Sequence, residues 1–200
     1  MLSRLSPWWL WAVLTILPAI WIGQAFTSAN PRIIHILVHP TGEFAARLLI
    51  VTLMITPLTM LFKGTGLARW LRKNRRYFGV AAFGYAALHT LFYLVDKAAF
   101  ATVIAELPRL YIWTGWIAFA IFIPLAVTSS DRFVRAMGPR WKSLQRWTYA
   151  AAVLTLVHWA SLHDWDHPMA AIVHFAPLAA LEAWRVWSWM RRRSERQALA

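Results

Sequence analysis

Two histidines stand inside apolar runs that carry no charge: His89 in YAALHTLFY (85–93) and His158 in LTLVHWASL (154–162). An imidazole in such surroundings is costly to bury and needs a partner. Its chemistry offers three: a hydrogen bond to a neighbouring helix, a proton relay, or a metal held through a neutral ring nitrogen. Counted from Tyr77 and Trp147, where their runs begin, His89 is the thirteenth residue and His158 the twelfth. At 1.5 Å per residue they lie about 18 Å and 17 Å along parallel helices, at one level. Two neutral imidazoles facing each other across a bundle suit a metal, and a porphyrin iron takes two axial nitrogens on opposite faces. Ala86, Ala82 and Gly79 precede His89 by three, seven and ten residues, and Thr155 and Ala151 precede His158 by three and seven. Those spacings put small side chains on the histidine face of each helix and leave room for a flat ring. Close helix packing explains the small residues as well, and proton transport through the same histidines is the rival reading.

The elements that must hold these histidines are membrane spans. Hydrophobic residues make up 60% of the 200-residue chain and charged residues 14%, and mean hydropathy is positive; a soluble domain carries about 45–50% apolar and about 25% charged residues. The apolar runs predict an all-α, polytopic bundle of six transmembrane helices in a single domain over 1–200, at about 7–26, 44–62, 77–95, 110–130, 147–162 and 168–190, each near the ~20 residues a bilayer requires. The first run has no small-residue cleavage site and reads as a retained span. In the last, Glu182 and Arg185 are three apart and can pair on one face near the interface. No internal repeat is evident.

Net charge is +13, but the basic residues cluster between apolar runs, as membrane-protein loops do, which argues against nucleic acid as a partner. KGTGLARWLRKNRR (63–76) holds six basic residues and no acid, and DRFVRAMGPRWKSLQR (131–146) holds five and one. These loops and both termini are therefore placed in the cytoplasm, an N-in/C-in arrangement with the two histidines toward the outer face. The chain has no cysteine, which excludes disulfides, thiolate ligands and covalent c-type haem attachment.

HPTG (39–42), LMITPL (53–58), RRYFG (75–79), LHTLFY (88–93), LAVTSSD (125–131) and WKSLQRWTYAAAVLTLVHW (141–159) occur in this order. With these strings the chain resembles the haem-binding membrane subunits of the bacterial periplasmic methionine-sulfoxide reductase system, the MsrQ or YedZ family, within the ferric-reductase-like transmembrane group. The resemblance implies an inner-membrane electron-transfer subunit rather than a stand-alone enzyme. It implies b-type haem on His89 and His158, electrons from the quinol pool or from a flavin, possession of FMN, and delivery to a soluble periplasmic molybdopterin reductase that repairs methionine sulfoxide. Members of the wider group carry a second histidine thirteen or fourteen residues from the first on each ligand helix. Here the residues thirteen before His158 and His89 are Gln145 and Arg76, so one haem per chain is expected. A ferric-chelate reductase and a haem-free proton-coupled transporter are the alternatives.

Other residues carry weaker expectations. His174 lies near the level of the pair as an alternative ligand or a supporting group, and His39, in HPTG, is placed to touch haem propionates or a quinone. Arg47 and Arg109 could pair with propionate carboxylates, Trp159 could form a pocket wall, and Arg75 or Arg76 could hold a flavin phosphate. For the arginines, snorkelling and anionic lipid are the plainer explanations. HDWDH (163–167) reads as a solvated loop before a metal site, and most of the fourteen tryptophans read as an interfacial belt.

Overall fold

A computed structural model describes residues 7–166 and 168–198. Nine helices occur among them: α1 (Pro7–Thr27), α2 (Ile33–Leu61), α3 (Gly66–Lys97), α4 (Phe100–Glu106), α5 (Leu110–Val127), α6 (Asp131–Met137), α7 (Pro139–Gln145), α8 (Trp147–Ala160) and α9 (Met169–Ala198). No strand is present among the described residues. Five helices, α1, α2, α3, α5 and α9, have the length and hydropathy to cross a bilayer. The helix carrying His158, α8, has 14 residues, about 21 Å, and is shorter than the ~30 Å hydrocarbon core.

Two helices start well before hydropathy alone predicts. The sequence reading begins its second span at Phe44 and its third at Tyr77, whereas α2 begins at Ile33 and α3 at Gly66. Charge in the first turns of α3 lowers hydropathy without removing helix propensity. In α3 the cap is Thr65, whose hydroxyl accepts from the Ala68 N–H at 3.2 Å, and Leu, Ala, Arg and Lys after it are good helix formers. In α2 the helix runs through Pro40 and Pro57, as helices stabilised by neighbouring helices can. HPTG is therefore helical, and His39 sits in the second turn of α2 instead of at a helix end. The supposed loop at 131–146 contains α6 and α7: Ser130 caps the first, and Gly138, at φ +53, followed by Pro139 separates them.

Packing divides into two clusters. One joins Leu49 and Leu53 of α2, Ala82 of α3, Phe122 of α5, Ala151 and Trp159 of α8, and Phe175 and Leu178 of α9. The other joins Trp21 of α1 to Leu37 and Ala45 of α2 and Tyr85 and Phe92 of α3, and the Tyr85 hydroxyl donates to the Leu14 carbonyl at 3.0 Å. The outside of the bundle is apolar, with Ile16, Leu91, Val153 and Val173 exposed, as lipid-facing surfaces are. Glu182 and Arg185 pair as their spacing predicts, at 2.7 Å. Near the end of α9, Arg191 and Arg193 stack on Trp187 and Trp189, the pattern of an interfacial turn.

Candidate functional site

His89 of α3 and His158 of α8 face each other with ring centroids 6.1 Å apart and planes at 81°. Each ring is gripped from behind. The His89 Nδ1 donates to the Val38 carbonyl on α2 at 2.8 Å, and the His158 Nδ1 donates to the Tyr111 carbonyl on α5 at 2.5 Å. A carbonyl only accepts, so both rings carry their proton on Nδ1 and keep a lone pair on Nε2. This is the arrangement that orients metal-binding imidazoles. A metal held by one nitrogen of each ring, at bonds of about 2 Å, would need ring centroids about 6 Å apart. The observed separation fits one metal between the rings.

Both rings line a cavity of about 590 Å³, within the roughly 300–1,000 Å³ of small-molecule and cofactor clefts. Ala46, Leu49, Ala86, Phe119, Phe122 and Trp159 supply apolar wall. Of the small residues expected beside the histidines, Ala86 and Thr155 line this cavity. Gly79 and Ala82 line a second one, and Ala151 is packed in the core.

The cavity mouth is polar. His39 reaches it with Nε2 4.0 Å from a Glu43 oxygen. Across the opening, Glu106 accepts from Lys97 Nζ at 2.8 Å and from the Tyr93 hydroxyl at 2.9 Å, and Arg109 lies 3.7 Å from the same carboxylate. Burial pushes the Glu106 carboxyl up, but the hydrogen bonds from Lys97 and Tyr93 with the charges of Lys97 and Arg109 outweigh it and hold it below the usual carboxylate range.

The remaining candidates separate. His174 has both ring nitrogens engaged: Nδ1 donates to the Ala170 carbonyl at 2.7 Å, and Nε2 accepts from Arg47 Nε at 3.3 Å. Its lone pair is thus taken by an arginine, and its ring lies 4.9 Å from that of Trp159. It holds Arg47 in place, and Arg47 also pairs with Glu43. Arg76 is at the opposite, basic end of the bundle, where it pairs with Asp131 at 2.6 Å and holds that exposed carboxyl below its ordinary range. Arg75 is beside it, donating Nε to the Thr52 carbonyl at 3.1 Å. Of HDWDH, His167 and the side chains of His163 and Asp164 lie outside the described residues. Sequence reasoning missed Val38 and Tyr111, because a gripping carbonyl has no side-chain signature.

The second cavity, of about 850 Å³, lies at the basic end, lined by α2, α3, α5 and α8 together with α7 and Arg185 of α9. Arg72, Lys73, Arg75, Arg76, Lys142 and Arg146 line it with Phe83, Trp141 and Tyr149, and Leu49 and Phe122 are shared with the histidine cavity. Gln145 is here, donating its amide to the Leu125 carbonyl at 3.2 Å. Among the described residues, no histidine lines this cavity.

Comparisons with known proteins give the chain a family. Residues 41–156 match the family model described as ferric reductase like transmembrane component. Relatives from Brucella ovis, Brucella canis and Brucella suis, each named protein-methionine-sulfoxide reductase heme-binding subunit MsrQ, are 34% identical over 197 residues, covering 92% of this chain and 84% of theirs. The chain belongs to the ferric reductase like transmembrane group and, within it, to the MsrQ family. No solved structure matches it.

Proposed function

We propose that this chain is the electron-passing membrane subunit of a methionine-sulfoxide repair system and holds one b-type haem between His89 and His158. The observation that carries this reading is the pair of Nε2 lone pairs presented from facing helices at a ring separation of 6.1 Å. When bound, the haem supplies reversible one-electron exchange. With His89 and His158 both holding its iron, the haem would favour electron passage over oxygen binding. Lys97 and Arg109 at the mouth offer cations to propionate carboxylates. Arg47, held by His174, and His39 extend that polar rim, and Trp159 closes the wall.

Positive residues orient the bundle. The basic end and both termini face the cytoplasm, so the histidine end faces the periplasm of a bacterial inner membrane. The donor's place is the basic-end cavity, one side-chain layer from the histidine cavity through Leu49 and Phe122. A quinol of the membrane pool is one donor. FMN, which the family resemblance implies, is the other, with its phosphate near Arg75 and Arg76. The acceptor is a periplasmic molybdopterin methionine-sulfoxide reductase.

The test mixes chemically reduced, haem-loaded protein, freed of excess reductant, with that reductase and methionine sulfoxide. Haem oxidation matched by methionine formation is the expected result. Haem that stays reduced with the reductase, yet is oxidised rapidly by ferric citrate, would make chelated iron the acceptor instead.

A further inference from the structure

The histidine site is built twice by one device. VHPTG (38–42) on α2 and YIWTG (111–115) on α5 share a pattern: a residue whose carbonyl grips an imidazole, two intervening residues, then Thr-Gly. In each copy the threonine is buried and returns its hydroxyl to its own helix. Thr41 donates toward the Leu37 and Val38 carbonyls, both at 2.8 Å, and Thr114 toward those of Leu110 and Tyr111 at 2.7 and 3.3 Å. In each copy the glycine lies directly under the ring. A Cβ placed on Gly42 would come within 2.7 Å of His89 Nδ1 and 2.8 Å of its Cε1; one placed on Gly115 would come within 2.7 and 2.9 Å of the same atoms of His158. Both glycines are within regular helix, so they are not needed for an unusual backbone angle. They are needed for close approach: an imidazole edge can reach the carbonyl one turn back only if nothing projects from the position between.

We propose that Thr41-Gly42 and Thr114-Gly115 are positioning residues of a twofold repeated ligand cradle, α2 with α3 forming one copy and α5 with α8 the other. The glycine admits the ring, the preceding carbonyl fixes its proton on Nδ1, and the threonine ties that carbonyl to the helix. Each copy then delivers one Nε2 to the shared cavity. That the delivered nitrogens meet a haem rests on the function proposed above; the cradle itself rests on the two repeated geometries.

The experiment compares Gly42→Ala and Gly115→Ala with Gly84→Ala, a helical glycine of α3 whose added Cβ would meet nothing within 4 Å. Alanine is the better helix former, so all three full-length variants are expected to insert and fold. Haem affinity should fall about 10–100-fold in the two cradle variants. Part of the haem they retain should be high-spin, returning to low-spin on adding imidazole, while Gly84→Ala keeps the parent spectrum. In parallel, nitrogen-15 histidine spectra of haem-free protein should show the Nδ1–H signals of His89 and His158, assigned by their absence in His89→Ala and His158→Ala, with one of the two lost in each cradle variant. Cradle variants that match Gly84→Ala in affinity, spin state and ring tautomer would overturn the proposal. A parent that binds no haem, yet loses one Nδ1–H ring in each cradle variant, would leave the cradle standing and remove the haem reading alone.

Discussion

The two cavities of this bundle both draw on α2, α3, α5 and α8 and share Leu49 and Phe122, yet only one is lined by two facing histidines. Their sizes, about 590 and 850 Å³, do not separate them. The difference is in how polar groups are spent. At the histidine end, backbone carbonyls absorb the Nδ1 protons and leave two nitrogen lone pairs free. At the basic end, the Gln145 amide is turned onto the Leu125 carbonyl and Arg76 onto Asp131, and what remains is positive charge. Gripped imidazoles would suit the first cavity to a metal, and the positive charge of the second would suit it to an anion.

The contrast breaks most completely if the lone pairs are removed. His89→Ala or His158→Ala is expected to abolish the low-spin spectrum and most haem retention, measured by absorbance and extracted haem per chain. By contrast, neither Gln145→Ala nor Arg76→Ala should change haem content.

A smaller effect is expected at Arg47, which His174 and Glu43 hold beside the cavity. Arg47→Ala removes partly exposed charged hydrogen bonds, so it should cost about 1 kcal/mol of stability, read as a modest drop in Tm with haem still bound. Loss of the haem would instead make Arg47 an anchor of the cofactor.

Glu106 gives a pH-dependent effect of similar or lesser size. Its folded pKa lies below the ordinary 4.5, so its contribution is complete above that value and is lost as pH falls through the folded one. Acid titration should therefore loosen the connection between α3 and α5 only below about pH 4.5, followed by hydrogen exchange at α4. Glu106→Gln should remove that dependence; an unchanged titration would place the acid sensitivity elsewhere.

The smallest change is expected from Gln145→His. One new imidazole at the basic end faces no second ring and has no glycine-backed carbonyl prepared for it, so haem should stay at one per chain. A second haem in this single variant would show that the grip matters less than the presence of a ring.

Much of this was legible in the sequence because periodicity and depth are properties of helices. Equal distance along two apolar runs brought His89 and His158 to one level, and the i,i+3 spacing of Glu182 and Arg185 paired them. Hydropathy misplaced the starts of α2 and α3, since a helix continues outside the bilayer wherever capping and propensity allow, as Thr65 and the basic turn after it demonstrate. His174 was a plausible ligand by depth alone; only the rotation of α9 gives its lone pair to Arg47. The carbonyls of Val38 and Tyr111 could not be seen at all, although the twice-used Thr-Gly pair was in view as their trace.

The most direct test of the central claim is the oxidised and reduced absorption spectrum of the purified parent protein, with haem quantified as pyridine hemochrome and the ferric form examined by electron paramagnetic resonance. One low-spin b-type haem per chain is expected. Its resonance should be strongly anisotropic if the rings keep planes at 81° when haem is bound. Colourless protein from haem-supplied cells, a high-spin centre, or two haems per chain would contradict the assignment of His89 and His158 as the two axial ligands of a single haem.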